Sequence, residues 1–298
     1  MHKAKFSSPL VLAIAALVAG LLAINLGVSA TENPDELIGG FLLGPQAYSF
    51  RLFSLFEAID KTKQLGCHVI EAYPGQPLSP QDKTPFDHNA SPETLAKVKA
   101  KLAEDNIRMV NYGVVELGKT EAEARKVFEF AKAMAIPAIT TEPPENNAED
   151  TLNMIEKLVK EFNIKVGIHN HPKRADDPNY KNWDPNYILS LVKNRDPRIG
   201  STADTGHWVR SGIKPIDALK ILKGRIISSH LKDLNKFDPE AYDVPYGKGV
   251  SDIKAILDEL RRQNFQGNIA MEYEYHWKNS LPELVQCVEF VRNYGKKP

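Results

Sequence analysis

The feature that most constrains this chain is a regular alternation of short apolar runs with amphipathic stretches, which continues from Phe41 to the C-terminus. The short runs have the length of buried strands and are bounded by turn residues, and the stretches between them show helical apolar spacing. We predict strands at 41–48, 68–73, 108–115, 138–141, 165–169, 199–203, 226–229 and 268–271. We predict helices at 52–65, 91–106, 120–135, 148–162, 184–193, 215–222, 251–263 and 281–294.

Eight strands, each followed by a helix, predict the α/β class and a single-domain (β/α)8 TIM barrel. The alternative is a doubly wound open sheet, which normally carries a glycine-rich phosphate loop after its first strand. Here the first strand instead leads into Gln46-Ala47-Tyr48-Ser49-Phe50. Because no repeat or linker divides the chain, we assign residues 31–298 to one barrel domain.

The N-terminus has the three parts of a secretory signal peptide. A basic start with Lys3 and Lys5 precedes an apolar run from Leu10 to Leu26, and Val28-Ser29-Ala30 resembles a cleavage site. We predict a signal peptide over residues 1–30, a periplasmic or secreted protein, and no stable membrane association after cleavage. An uncleaved membrane anchor is the alternative, because the apolar run is long for a signal peptide.

Charge and cysteine content exclude some classes of partner. Lys and Arg number 38, as do Asp and Glu, so the formal net charge is zero. This balance provides no electrostatic footprint for nucleic acid or for an anionic membrane, and it suits a small neutral ligand. Cys67 and Cys287 lie among apolar neighbours and are predicted to be buried free thiols, with a disulfide as the alternative. A homo-oligomer is compatible with the sequence.

Metal-binding side chains follow five successive predicted strands, namely Glu142, His169, Asp204, His230 and Glu272. In a barrel the carboxyl ends of parallel strands share one mouth, so we expect these side chains to converge. A single Glu, Asp or His at a strand end is commonly a helix cap or a satisfied polar residue. Five in succession favour one divalent ion, and mixed carboxylate and imidazole ligands suit Mn²⁺, Zn²⁺, Co²⁺ or Fe²⁺ better than Ca²⁺.

Aromatic side chains lie near the same strand ends: Tyr73, Tyr112, Trp208, Tyr273 and Trp277. We predict that they form an apolar wall for a sugar ring, although aromatic residues at strand ends often belong only to the rim of the core.

Several of these motifs together resemble the sugar phosphate isomerase/epimerase family of the xylose isomerase-like TIM barrel superfamily. The matching pieces are Glu71-Ala72-Tyr73, Gly167-Ile168-His169-Asn170-His171-Pro172, Ala203-Asp204-Thr205-Gly206-His207-Trp208, Ser229-His230-Leu231-Lys232-Asp233, Gly247-Lys248-Gly249 and Ala270-Met271-Glu272.

The resemblance implies one divalent ion (Mn, Zn, Co, Mg or Fe) at the barrel mouth, with Asp204, His230 and Glu272 as ligands. The epimerases usually carry a glutamate ligand on strand five, where this chain has His169. That departure puts a mechanism with two metal-bound glutamates in doubt. Glu142, one strand earlier, can supply the missing carboxylate as ligand or as base.

The resemblance also implies roles for other side chains at the mouth. Either Glu142 or Glu272 removes a proton next to a substrate carbonyl, and His207 or His171 donates one. His171 and His207 can also bind substrate, and Lys232 or Lys248 stabilises an oxyanion. We therefore expect an exported, metal-dependent isomerase or epimerase that acts on a keto-sugar or related carbohydrate.

Three other functions are compatible with parts of this pattern. A metal-dependent lyase or hydrolase, such as a dehydratase or a 3-keto-glycoside-cleaving enzyme, shares the proton-abstraction step and fits export. A non-catalytic sugar-binding barrel is a second alternative. A DNA-repair role like that of endonuclease IV is disfavoured by the neutral charge and by export.

Overall fold

Eight parallel strands form the centre of the fold in a computed structural model that describes residues 36–296, the Glu145 side chain excepted. The strands are β1 Leu42–Pro45, β2 Val69–Ala72, β3 Arg108–Tyr112, β4 Ala138–Thr141, β5 Lys165–His169, β6 Ile199–Asp204, β7 Ile226–Leu231 and β8 Asn268–Met271. Their order in the sheet is β1-β8-β7-β6-β5-β4-β3-β2. The predicted (β/α)8 barrel is therefore confirmed.

Helices separate the strands and cover the outside of the barrel. They are α1 Leu55–Gln64, α2 Pro92–Glu104, α3 Glu121–Ala133, α4 Ala148–Phe162, α5 Pro185–Val192, α6 Thr205–Arg210, α7 Pro215–Ile221, α8 Ile253–Arg262 and α9 Leu281–Tyr294. Short 3-10 helices span Ala47–Phe50 and Glu145–Asn147. Their apolar faces and the strands enclose one large hydrophobic core.

Local sequence explains where several helices begin. Ser54 and Glu57 form a capping box at α1, and Thr120 and Glu123 form the predicted one at α3. Ser91 caps α2 and is followed by Pro92 in the first turn, as predicted. In each case a side-chain oxygen accepts a backbone N–H that has no partner within the helix.

The barrel closes where β1 meets β2. Backbone pairing between Gln46 and Glu71 links the two strands just beyond the end of β1. A Cβ atom on Gly44 would lie 1.9 Å from the carbonyl oxygen of Val69, so the strands reach this separation only because residue 44 has no side chain.

The structure corrects three details of the predicted elements. Asp252, not Ser251, caps α8, because the Asp252 side chain accepts the N–H of Ala255 whereas the Ser251 hydroxyl accepts that of Leu234. Helix α6 was not predicted, since its six residues are too few to show a helical period. Two long loops also contain short antiparallel pairings, Gln76–Pro77 with Pro85–Phe86 and Asp233–Leu234 with Asp243–Val244.

Both cysteines are buried and free, which confirms the predicted thiols. Burial raises the pKa of the Cys67 thiol to about 12. Among the helices within residues 36–296, none combines the length and the apolar character that crossing a membrane requires. The predicted signal peptide, residues 1–30, lies outside the described residues.

Candidate active site

Strand register brings the polar ends of β5 to β8 side by side. His169 pairs with Thr202, and Asp204 pairs with His230. His230 also pairs with Ala270 on β8, two residues before Glu272. Because the strands are parallel and aligned at their carboxyl ends, side chains from four strands meet at one mouth.

Four buried side chains at this mouth form a ligand-donor group that can hold a metal ion: His169, Asp204, His207 and Glu272. One donor atom from each lies within 4.8 Å of the others. The Nε2 atoms of His169 and His207 lie 3.6 and 3.5 Å from Asp204 Oδ2. Tetrahedral Zn²⁺ with bonds of 2.0–2.1 Å holds its ligand atoms about 3.4 Å apart, so these donors have suitable spacing.

Unpartnered polar atoms support the same reading. Within the described part of the chain, neither ring nitrogen of His169 has a hydrogen-bond partner, and the contact of Asp204 Oδ2 at hydrogen-bonding distance is the Lys232 ammonium at 2.9 Å. Both residues are almost completely buried, at 1% and 0% exposure. Because burying the two His169 nitrogens without partners is costly, a ligand that binds this ring is favoured.

Helix α6 explains how Asp204 presents one oxygen to the mouth. Asp204 Oδ1 accepts the backbone N–H of His207 at 2.7 Å and so caps the helix. Asn170 holds the Asp204 backbone with two hydrogen bonds of 2.9 Å, one from each end of its amide group. The other carboxylate oxygen, Oδ2, thereby faces His169 and His207 of the ligand-donor group.

Arg210 determines which nitrogen of His207 carries the proton. Its guanidinium lies 3.2 Å from His207 Nδ1, and an arginine can only donate. Burial holds the pKa of His207 well below its usual value, so the ring is neutral. A neutral ring that accepts at Nδ1 carries its proton on Nε2. In this state His207 cannot bind a metal through Nε2, which leaves His169, Asp204 and Glu272 as the ligands of the group.

A second group joins Glu142, His171 and the shared His169. Glu142 Oε1 lies 3.0 Å from His171 Nδ1 and accepts a 2.5 Å hydrogen bond from the Tyr180 hydroxyl. Burial opposes ionisation of Glu142, but the contact with His171 lowers its pKa to about 2. Glu142 is therefore a carboxylate at neutral pH, and it orients His171.

His230 lies between two carboxylates. Its Nε2 is 2.7 Å from Glu71 Oε1, and its Nδ1 is 3.1 Å from Glu272 Oε2. Burial disfavours the charged ring, yet Glu71 and Glu272 raise the pKa of His230 well above its usual value. With both nitrogens engaged, His230 is absent from the two groups that can hold an ion within residues 36–296.

Lys232 is the cation nearest the ligand-donor group. Its side chain is 1% exposed, and Nζ lies 2.9 Å from Asp204 Oδ2, 2.8 Å from Glu272 Oε2 and 2.7 Å from Glu274 Oε2. Although burial disfavours its charge, the surrounding carboxylates, Asp204 foremost, raise its pKa well above the usual value. Lys232 is therefore charged.

A cavity of ≈ 250 Å³ opens above these groups. It is lined by Gln46, Tyr48, Tyr73, Pro74, Val114, His169, His171, His207, Glu272 and Glu274. The two tyrosine rings pack edge to face with their centroids 5.2 Å apart. The cavity thus has an aromatic side and a side of imidazoles and carboxylates.

A family model described as xylose isomerase-like TIM barrel matches residues 59–294. The chain belongs to this family. The resemblance inferred from the strand-end motifs is thereby confirmed, and the mouth described above lies on the face where barrel enzymes carry their active sites.

The chain is also similar to individual proteins, one of them with a named activity. An inosose dehydratase from Clostridium tetani is 30% identical over 153 residues, which are 46% of this chain and 49% of that protein. The chain thus spans about half the length of the curated relatives it matches. An uncharacterised protein from Parabacteroides distasonis has a solved structure at 32% identity and a TM-score of 0.66, covering 84% of this chain and 98% of that one.

The solved structure of the IolI protein shares the fold and contains a bound zinc atom. It is 15% identical, covers 84% of this chain and 95% of its own, and has a TM-score of 0.61.

The xylose isomerase-like barrel brings most of the predicted site residues together. Glu142, His169, His171, Asp204, His207, His230, Lys232 and Glu272 all lie at the mouth, and Tyr73 lines the cavity.

Two predicted substrate-binding residues are placed elsewhere. Trp208 is 1% exposed and packs in the hydrophobic core, so our expectation that it faces a sugar is corrected. Lys248 lies on the surface, where its Nζ donates to Gln286 of α9 at 2.6 Å. Tyr112 and Tyr273 are also core residues, with exposures of 0% and 4%.

Sequence reasoning missed Glu71, Glu274, Tyr180 and Arg210 as parts of the site. Glu274 had a usable signal, because residues two apart in an extended chain point the same way and Glu272 was already singled out. Tyr180 lies in a loop 38 residues from Glu142, and no local pattern links the two.

Proposed function

We propose that this protein is a metal-dependent isomerase or epimerase that removes a proton next to the carbonyl of a small keto-sugar. The observation that carries the proposal is the ligand-donor group of buried imidazoles and carboxylates on the wall of the cavity. His169, Asp204 and Glu272 would hold the ion, with Glu142 as a neighbouring carboxylate. A bound divalent ion would supply Lewis-acid stabilisation of negative charge on the substrate oxygen.

The chain's own residues divide the proton transfers among them. Glu272 is suited to be the base because it lines the cavity. Its contacts with His230 and Lys232 both involve Oε2, so Oε1 is the oxygen that can take the proton. Glu142 instead orients His171, which also lines the cavity. His207 is suited to be the donor, since Arg210 keeps a proton on its Nε2.

The cavity favours an unphosphorylated substrate. Of the described residues that line it, none is Arg or Lys, so a phosphate group would find no lysine ammonium or arginine guanidinium there. Its volume of ≈ 250 Å³ suits a monosaccharide, and Tyr48 and Tyr73 offer ring faces for the apolar side of a sugar.

The test is exchange of the substrate proton with solvent. Purified protein, supplied with Mn²⁺ or Zn²⁺, is incubated with unphosphorylated keto-hexoses and keto-glycosides in D₂O and followed by NMR. We expect deuterium incorporation that His207→Asn slows about 100-fold or more, because general acid–base catalysis contributes roughly 10²–10⁴-fold. His169→Ala should lose bound metal as well as exchange.

Glu240→Gln is the matched control, because Glu240 is exposed in the loop after β7 and belongs to neither group that can hold a metal ion. It should retain both metal and exchange. Unaltered metal content in His169→Ala together with unaltered exchange in His207→Asn would refute the proposal.

A dehydratase or glycoside-eliminating lyase is the second candidate, favoured by the similarity to an inosose dehydratase over half of the chain. Both reactions begin with the same proton abstraction. Isomerisation returns the proton and conserves the formula of the substrate, whereas elimination releases water or an aglycone. Mass spectrometry of the products therefore separates the two.

A further inference from the structure

Lys232 makes more contacts with carboxylates than a single ion pair requires. The three N–H donors of its ammonium group meet three carboxylates, those of Asp204, Glu272 and Glu274, at 2.7–2.9 Å. Because an ammonium has three donors and no acceptor, this arrangement uses its full capacity.

The Asp204-Thr205-Gly206-His207 segment builds the place for this lysine. Thr205 Oγ1 accepts the backbone N–H of Lys232 at 2.9 Å and donates to the backbone carbonyl of Lys232 at 3.1 Å. A Cβ on Gly206 would lie 2.7 Å from both Cβ and Cδ of Lys232, so the lysine stem occupies the space that a side chain would fill.

Two of the three carboxylate atoms that Lys232 contacts belong to residues of the ligand-donor group. They are Asp204 Oδ2, which also faces His169 and His207, and Glu272 Oε2. The third partner, Glu274, lies outside that group but lines the cavity, and Arg210 holds it at 3.0 Å.

We propose that the Lys232 ammonium competes with the divalent ion for Asp204 and Glu272, and that ion binding leaves the ammonium paired with Glu274 alone. This inference rests on the proposed function for the presence of the ion. Two cations that share the same carboxylate oxygens repel each other, so one must withdraw as the other binds. Glu274 then retains the lysine.

The consequence is that Lys232 weakens metal binding. Lys232→Met keeps the length of the buried stem and removes the charge. We expect this variant to bind Mn²⁺ at least tenfold more tightly than the unaltered protein, measured by competition with a chromophoric chelator. Its metal-free form should melt at a lower temperature, because three carboxylates have lost their common cation, and added Mn²⁺ should restore the melting temperature.

Two further variants keep the proposal open to refutation. Lys254→Met removes the same charge from the surface of α8, where Lys254 pairs with Asp258, and should bind Mn²⁺ within twofold of the unaltered protein. Glu274→Gln removes the carboxylate that retains the lysine, so the ammonium holds Asp204 and Glu272 more strongly and the variant should bind Mn²⁺ several-fold more weakly. This second variant decides the matter if Lys232→Met does not fold.

The outcomes separate this inference from the proposed function. Equal or weaker Mn²⁺ binding by Lys232→Met overturns the role of Lys232 alone, provided that the unaltered protein binds the ion. Unchanged or tighter binding by Glu274→Gln does the same. Failure of every variant and of the unaltered protein to bind Mn²⁺ or Zn²⁺ overturns both proposals.

Discussion

At the scale of single residues, the mouth of the barrel is arranged in imidazole–carboxylate pairs with different consequences. His230 lies between Glu71 and Glu272 in full burial, whereas His171 meets Glu142 at the more open side of the mouth. The buried pair holds Glu272 in place, because removal of one partner would leave an uncompensated charge. The open pair is the one whose protonation responds to solution pH.

The Glu142–His171 pair predicts a pH-dependent contribution to stability. The pKa of Glu142 is lowered to about 2, so its contribution is present above its ordinary value of 4.5 and is lost as pH falls through 2. Burial opposes the charge on His171, but Glu142 raises the pKa of this ring, so the contribution of His171 is present below 6.5 and is lost as pH rises through the raised value. The pair therefore stabilises most between pH 4.5 and 6.5.

Glu142→Gln in chelator-treated protein should lower the free energy of unfolding by about 1.5 kcal/mol near pH 5.5 and by less than half of that near pH 9. Urea denaturation at the two pH values measures the difference. Tyr180→Phe is the control, since it removes a hydrogen bond to Glu142 without removing a group that titrates in this range. An equal loss at both pH values for Glu142→Gln would contradict the assignment.

At the scale of elements, the approach of β1 to β2 determines whether the sheet closes. A Cβ on Gly44 would meet the Val69 carbonyl oxygen and carbon at 1.9 and 2.7 Å, and backbone atoms cannot move aside as a flexible side chain does. We expect Gly44→Ala to lower the free energy of unfolding by about 3 kcal/mol, the upper end of the usual cost of overpacking. Urea denaturation measures the loss.

Gly75→Ala is the matched comparison for Gly44→Ala. Gly75 has a φ of +93° and open space around its missing Cβ, so only backbone strain of about 1–2 kcal/mol is expected there. A loss for Gly44→Ala no greater than that for Gly75→Ala would show that the closure of the barrel tolerates a side chain at residue 44.

At the scale of the whole molecule, we propose that the protein is exported and that residues 1–30 are removed. The basic start, the apolar run and Val28-Ser29-Ala30 support this proposal. Intact-mass measurement of protein secreted or released from the periplasm of a bacterial host should place the new N-terminus near Thr31. A full-length chain recovered only with the membrane fraction would support the uncleaved anchor instead.

The sequence alone determined the order and most boundaries of the elements. Strands β4, β5 and β8 and helices α4 and α9 lie where apolar periodicity placed them, because burial of one face imposes a period of two or 3.6 residues on the chain. The strand-end positions of Glu142, His169, Asp204 and Glu272 follow from the same local pattern.

Only the tertiary structure decided which of these side chains contact one another. His230 reaches Glu71 across 159 residues, and Lys232 reaches Glu274 across 42. Such contacts depend on closure of the barrel and on rotamers that respond to neighbouring charges, neither of which a local pattern specifies. For the same reason Trp208, two positions from Gly206 on an unpredicted helix, packs in the core instead of facing the cavity.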